Sequence, residues 1–239
     1  MSFANDYQDA IRAARYAKLQ FSGTYELAFR DMPEIVRRQA SGETALDFGC
    51  GAGRSTRLLK SWGFCAIGAD ISPAMLANAR RLDSDGDYRL IADDGGLPFP
   101  DSAFDLVFSA FTFDNIPSEK KMPLFREMKR LLKAGGRLVN LVSTPEIYRN
   151  EWVSFTTRDF PVNLAAQRGD PVRIINKSSG DTQPVTDILW PDEDYRALYG
   201  QAGLELLEMR KLLARPDEDG WVSETRVAPW CVYVLRPKP

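Results

Sequence analysis

Three glycines at alternate positions follow an acid in the run Asp47-Phe48-Gly49-Cys50-Gly51-Ala52-Gly53. Glycine lets a chain turn sharply out of a strand and brings main-chain N–H groups against a ligand with no Cβ in the way. The chemistry this suits is the cradling of a nucleotide-like molecule. Asp70 ends the next apolar run, about 20 residues past the turn, where a carboxylate can accept hydrogen bonds from ribose hydroxyls. Asp93 and Asp94 end a third run. The chain has no histidine, so it has no imidazole base, no His metal ligand and no Ser-His pair. A side-chain base must be Asp, Glu, Tyr or Lys. Asp114, past the fourth apolar run, and Tyr7, Tyr25, Tyr148 and Asp187, in segments that would cover the site, are the candidates.

These residues need elements to hold them. The spacing predicts a buried strand over 44–48 and a helix over 54–60, the strand-turn-helix context that a glycine turn requires. A dinucleotide fingerprint needs Gly-x-Gly-x-x-Gly, and Arg54 or Thr56 stands where the last glycine should be. Strands are predicted over 64–70, 88–94, 105–110 and 137–142. Ser72-Pro73 is a helix start, a capping side chain followed by proline at the first helical position, with Met75, Leu76 and Ala79 down one face. A helix over 121–132 ends at Lys133-Ala134-Gly135-Gly136. Ahead of the glycine turn, helices are expected over 7–20 and 25–39, the second opened by Thr24 as a cap. After residue 145 about 60 residues separate the fifth strand from the next clear helix, too many for a simple connection. Within them, 171–176 and 183–189 read as a hairpin around Lys177-Ser178-Ser179-Gly180-Asp181. A helix from 192 and strands over 204–213 and 226–235 complete the pattern.

Composition sets few obstacles. With 239 residues, 44% hydrophobic and 27% charged, the chain is long enough for one sizeable core, and a single domain over 1–239 is expected. The net charge is −2 and the charges are interspersed, which gives no footprint for nucleic acid or an anionic membrane. Three cysteines without framework spacing suit a reducing compartment. No apolar run approaches the roughly 18 residues of a membrane span, and the first residues have no signal-peptide layout, so the expected address is the cytoplasm. A monomer or homodimer is expected.

The acid with alternating glycines, the acid after the second strand, the 97–105 segment leading into the fourth strand and the Leu132-Lys133-Ala134-Gly135-Gly136 turn together resemble the class I S-adenosylmethionine (SAM)-dependent methyltransferases. The resemblance spans roughly 44–142. It implies an α/β fold, a Rossmann-like seven-stranded, mostly parallel sheet with helices on both faces. A helical cover over 1–40 and a substrate-covering insert over 145–200, with an inserted β-hairpin, would complete it. It implies SAM as cofactor and no metal. Gly49, Gly51 and Gly53 would form the cradle, Asp70 would take the ribose, Ile71 and Met75 would wall the adenine, and Asp93 would take its amino group, with Asp94 and Ser109 nearby. Asp47 either contacts the cofactor or only holds the turn, and Arg30 either grips the cofactor's carboxylate or lies on a helix surface. The implied reaction is methyl transfer to an N or O atom of a small aromatic or heteroaromatic metabolite, mainly by positioning and exclusion of water. Asp114 and Tyr25 are the candidate catalytic residues. Tyr7, Phe111, Phe113, Tyr148, Trp152 and Trp190 are the candidate acceptor wall; aromatics taken singly are more often core, and it is the cluster that suits a flat acceptor. The alternative is a SAM- or nucleotide-binding subunit without turnover.

Overall fold

The computed structural model describes residues 10–17, 22–178 and 182–238; Tyr7 and the tip of the expected hairpin lie outside them. Strand β1 (Thr44–Phe48) is buried from Ala45 onward because parallel strands with helices on both faces have no solvent side. It pairs in parallel with β2 (Cys65–Asp70) on one edge and β4 (Phe104–Ala110) on the other, and β3 (Asp87–Leu90) lies outside β2. Beyond β4 come β5 (Leu132–Ser143), β10 (Trp230–Pro237) and β9 (Leu204–Leu212). The seven-stranded order is therefore β3-β2-β1-β4-β5-β10-β9, with β10 antiparallel to both of its neighbours. The winding direction reverses between β1 and β4, and a crevice at the carboxyl ends of such strands is where ligands bind in open α/β sheets.

One apolar cluster covers each face of the sheet. The first joins α2 (Thr24–Arg30) and α3 (Met32–Gln39) to Ala45, Leu106, Phe108, Val139 and Leu141. The second joins α7 (Ser118–Leu131) and α8 (Asp192–Gln201) to Leu46, Val107, Leu138 and Val142. Helix α4 (Arg54–Ser61) follows the glycine turn and α5 (Pro73–Leu82) follows β2; Ser72 Oγ accepts from Met75 N at 3.2 Å, the expected cap.

Two helix expectations change. The helix expected over 25–39 is broken at Asp31, where Pro33 enters as an early residue of α3 and cannot donate back to α2. Thr24 is the first residue of α2, not its cap, and its hydroxyl donates to Glu224 Oε1 at 2.7 Å. The Lys133-Ala134-Gly135-Gly136 stretch is extended backbone at the start of β5, with its irregularity taken up as a register shift against β4.

The insert builds a second, three-stranded sheet from β6 (Phe155–Thr156), β7 (Pro171–Asn176) and β8 (Val185–Ile188). Strands β7 and β8 pair antiparallel, as the hairpin reading requires. Tyr148, Trp152, Phe155, Val172 and Ile174 belong to the first apolar cluster, so the insert packs on the same core as the main sheet. Among the described residues no helix is long and apolar enough to cross a membrane.

Candidate active site

The turn after β1 is anchored to β2: Gly49 N and Cys50 N donate to Ala69 O at 2.8 and 3.1 Å. Gly49, Gly51 and Gly53 have φ of 71°, 53° and 76°, the left-handed region that favours glycine. Their tasks differ. A Cβ at Gly49 would strike the Thr112 side chain and one at Gly53 would strike Tyr88, so both allow close packing. At Gly51 a Cβ would meet only Met75 Sδ and Tyr16 Cε1, each at 3.9 Å, and would stand in open cleft. Gly51 N donates to Asp70 Oδ2 and Ser72 N to Asp70 Oδ1, both at 2.8 Å. The carboxylate is thus oriented by two main-chain donors while burial pushes its titration upward against them.

Gly49, Gly51, Asp70, Ile71, Met75 and Asp93 line one cleft of about 1170 Å³, open to solvent. Asp93 is ion-paired with Lys120, which donates to its Oδ2 at 2.7 Å and its carbonyl at 3.2 Å, and Lys120 also lines the cleft. The apolar walls are Phe48, Ile91, Leu97, Ile116 and Leu124.

A second recess adjoins it, about 740 Å³ including the space open to solvent at its mouth, and shares Tyr16, Phe111 and Asn115 with it. Its wall is aromatic: Tyr25, Phe111, Tyr148, Phe155 and Trp230. Phe111 holds a left-handed conformation, φ 61°, directly after β4, and its ring lies 4.7 Å from that of Trp230. Such strain in a non-glycine residue clusters at functional sites. Asp114, on the short helix α6 (Thr112–Asn115), and Asp187, on β8, face the same cavity. Asp114 accepts from Ser143 N at 3.1 Å and Ser143 Oγ at 2.7 Å, while burial raises its pKa to about 6. Tyr148 donates to Asp187 Oδ2 at 2.9 Å. Arg12 and Arg15 of α1 (Ala10–Ala17) close the remaining side, and Arg12 donates to Pro184 O at 3.0 Å, tying this helix to the insert.

Residues 46–140 match the family model described as a methyltransferase domain. Over 180 residues the chain is 30% identical to the demethylmenaquinone methyltransferase of Clavibacter sepedonicus, covering 73% of this chain and 70% of that one. The chain belongs to the class I SAM-dependent methyltransferases. It is also 40% identical over 101 residues to the 2-methyl-6-phytyl-1,4-hydroquinone methyltransferase of Synechocystis, covering 41% of this chain and 31% of that protein. In fold this methyltransferase is similar to the CcbJ methyltransferase of Streptomyces caelestis, with a TM-score of 0.66, 18% identity and coverage of 95% and 96%. A SAM-dependent methyltransferase from Methanosarcina mazei gives 0.65 at 17% identity, covering 85% of this chain and 97% of the other.

Several residues expected at the site of this methyltransferase lie elsewhere. Arg30 reaches away from the cleft, donating to the Glu218 carboxylate at 3.2 Å and to Leu213 O at 2.8 Å, because α2 turns Tyr25 and Ala28 inward and leaves its last residue facing the 213–218 loop. Asp47 is fully buried beneath the turn and accepts from Ser55 Oγ at 2.7 Å and Thr56 Oγ1 at 2.6 Å, fastening α4 to β1. Asp94 accepts from Gly96 N within its own loop. Ser109 is enclosed within the sheet, in register with Asn140. Phe113 stacks on Phe125 at 4.1 Å, Trp152 is buried and donates to Ile147 O, and Trp190 packs on Tyr195. Tyr25 lines the aromatic chamber, and burial pushes its phenol upward, against the phenolate form that a base would use.

Other lining residues escaped the sequence reading. Tyr16 and Asn115 sit where the cavities meet, and Trp230 and Asn176 come from strands remote in sequence. Asn115, beside Asp114 just past a strand end, carried a local signal; Trp230 carried none. Arg54, at the start of α4, lines a third recess with Gly49, Gly51 and Ala52, placing a guanidinium by the turn where Arg30 was expected.

Proposed function

We propose that the chain methylates an O or N atom of a small, flat aromatic metabolite held in the chamber behind Phe111, with SAM in the adjoining cleft. The observation that carries this reading is the junction itself. A cleft floored by Gly51 and Asp70 meets an aromatic chamber at Tyr16, Phe111 and Asn115, and Asp114 faces the chamber. The names of the quinone- and hydroquinone-directed relatives favour a quinoid or phenolic ring.

The cleft fits the donor on its own geometry. Gly51 leaves free the space a side chain would fill, and Asp70 is held by two N–H groups with lone pairs left to accept from a ribose. Ile71 and Met75 would bracket the adenine, Asp93 would take its amino group, and Arg54 would face the donor's carboxylate. SAM supplies the activated methyl group when bound. The chain's residues do the rest: the aromatic wall orients the ring, α1 and the insert exclude water, and Asp114 accepts the proton that the acceptor O–H or N–H gives up as its new bond to methyl forms. Burial raises Asp114 above the ordinary carboxylate range, which makes its ionised form the stronger proton acceptor.

The test is calorimetric titration with SAM, followed by a radiolabelled methyl-transfer assay over hydroquinones, phenols and aromatic amines. Labelled product from an O–H or N–H acceptor is expected. Labelling confined to aliphatic acceptors, or at ring carbon alone, overturns the assignment.

A further inference from the structure

Lys121 is a lysine where the packing calls for an apolar residue. It lies on α7, whose other inward residues are Leu124, Phe125, Met128 and Leu131, and its side chain has no solvent exposure. Burying an ammonium is costly unless other groups compensate for its lost hydration. Here Nζ donates to Phe113 O and stands among three rings, 5.3 Å from Trp190, 5.9 Å from Tyr195 and 6.0 Å from Phe113. Those contacts seat the charge without explaining why a charge is there.

The location explains it. Phe113 O belongs to the peptide unit that supplies the Asp114 amide nitrogen, so the ammonium stands beside the backbone of the one residue proposed to take the acceptor's proton. Asp114 is fixed on its other side by Ser143. The groups around it are Tyr148 from the 145–148 turn, Asp187 from β8, Tyr195 from α8, Tyr16, Arg12 and Arg15 from α1, and Lys121 from α7. Of these groups, Lys121 draws Asp114 toward its charged form from the dry side.

We propose that Lys121 is a positioning residue whose buried ammonium, seated in the Phe113, Trp190 and Tyr195 rings, keeps Asp114 charged and ready to accept a proton. This rests on the reading of Asp114 as the base. The arrangement is consistent with the titration directions: burial raises Asp114, the two Ser143 hydrogen bonds and then Lys121 draw it down, and burial lowers Lys121 while Asp114 and Asp187 raise it.

Two variants test this in the SAM-bound protein. Lys121→Met fills the ring box without charge, and Lys121→Gln keeps a donor for Phe113 O without charge, so either one that folds suffices. The Asp114 carboxyl carbon is followed by NMR against pH, with its signal assigned by Asp114→Asn, and kcat against pH is measured with a 1,4-hydroquinone acceptor. Loss of a neighbouring positive charge should move the carboxyl midpoint upward by about one pH unit or more and carry the acid limb of kcat with it. An unmoved carboxyl titration in a folded variant overturns the proposal. A moved titration with an unmoved rate profile upholds the hold of Lys121 on Asp114 and removes Asp114 from the role of base.

Discussion

Asp70 accepts from Gly51 N and Ser72 N, so its carboxylate is aimed before any ligand arrives. Asp70→Ala should weaken SAM binding by about 1.5–3 kcal/mol, the scale of a charge-assisted hydrogen bond, and calorimetry of the folded variant checks it. Unchanged affinity would remove Asp70 from the donor site. Gly51 adds a conformational constraint, since its φ of 53° strains any side chain and the space beyond it belongs to the cleft. Gly51→Val should lose some 1–3 kcal/mol of stability to strain and also lose SAM binding; a stable variant with normal affinity would contradict the placement of the donor. For Asp114→Asn, turnover should fall sharply and the acid limb of kcat near pH 6 should disappear. Full retained activity would leave only positioning and exclusion of water.

Elements decide how well those residues are held. Ser72 caps α5, which carries Met75 to the cleft wall, and the cap was readable as Ser72-Pro73 because capping is a local interaction. Ser72→Ala should cost about 1 kcal/mol in urea denaturation, with a modest loss of SAM affinity following from the loosened helix start. The cover helices were less readable. Periodicity ran through 25–39, yet Pro33 splits the segment and Thr24 spends its hydroxyl on Glu224, a residue far along the chain. Arg30 was misplaced for the same reason: helical phase fixes which face a residue takes, and only packing fixes what lies opposite that face.

At the scale of the whole molecule, three carboxylates, two buried and one at the cleft wall, share one pH signature. Asp47 and Asp114 are raised to about 6, and Asp70 is raised as well, in each case chiefly by burial. A folded pKa above the unfolded value of about 4 means the folded state binds more protons between the two, so these groups lose the protein stability as pH rises from about 4 to about 6. Asp105, held near 2 by Lys133 and Thr44, acts only at more acid pH. Scanning calorimetry without ligand should therefore give a higher Tm at pH 5 than at pH 7, with the difference reduced in Asp47→Asn. Equal midpoints would contradict the burial of these acids.

The sequence by itself determined the parallel sheet, the glycine turn and the order of the acids along the chain, although β3 stops at Leu90 and leaves Asp93 in the following loop. Those signals are local: backbone freedom at glycine, alternation of apolar runs with helical periods, and capping all act within a few residues. The tertiary structure decided which acids face the cleft. Asp47 is the penultimate residue of β1 and Asp70 the last of β2, yet Asp47 is sealed under α4 by Ser55 and Thr56 while Asp70 meets open space. It also decided the aromatic chamber, whose walls come from α1, α2, Phe111, α6, the insert and Trp230 of the last strand. No local rule brings Trp230 against Phe111, because side chains so distant in sequence meet only through the apolar surface that the whole fold buries together.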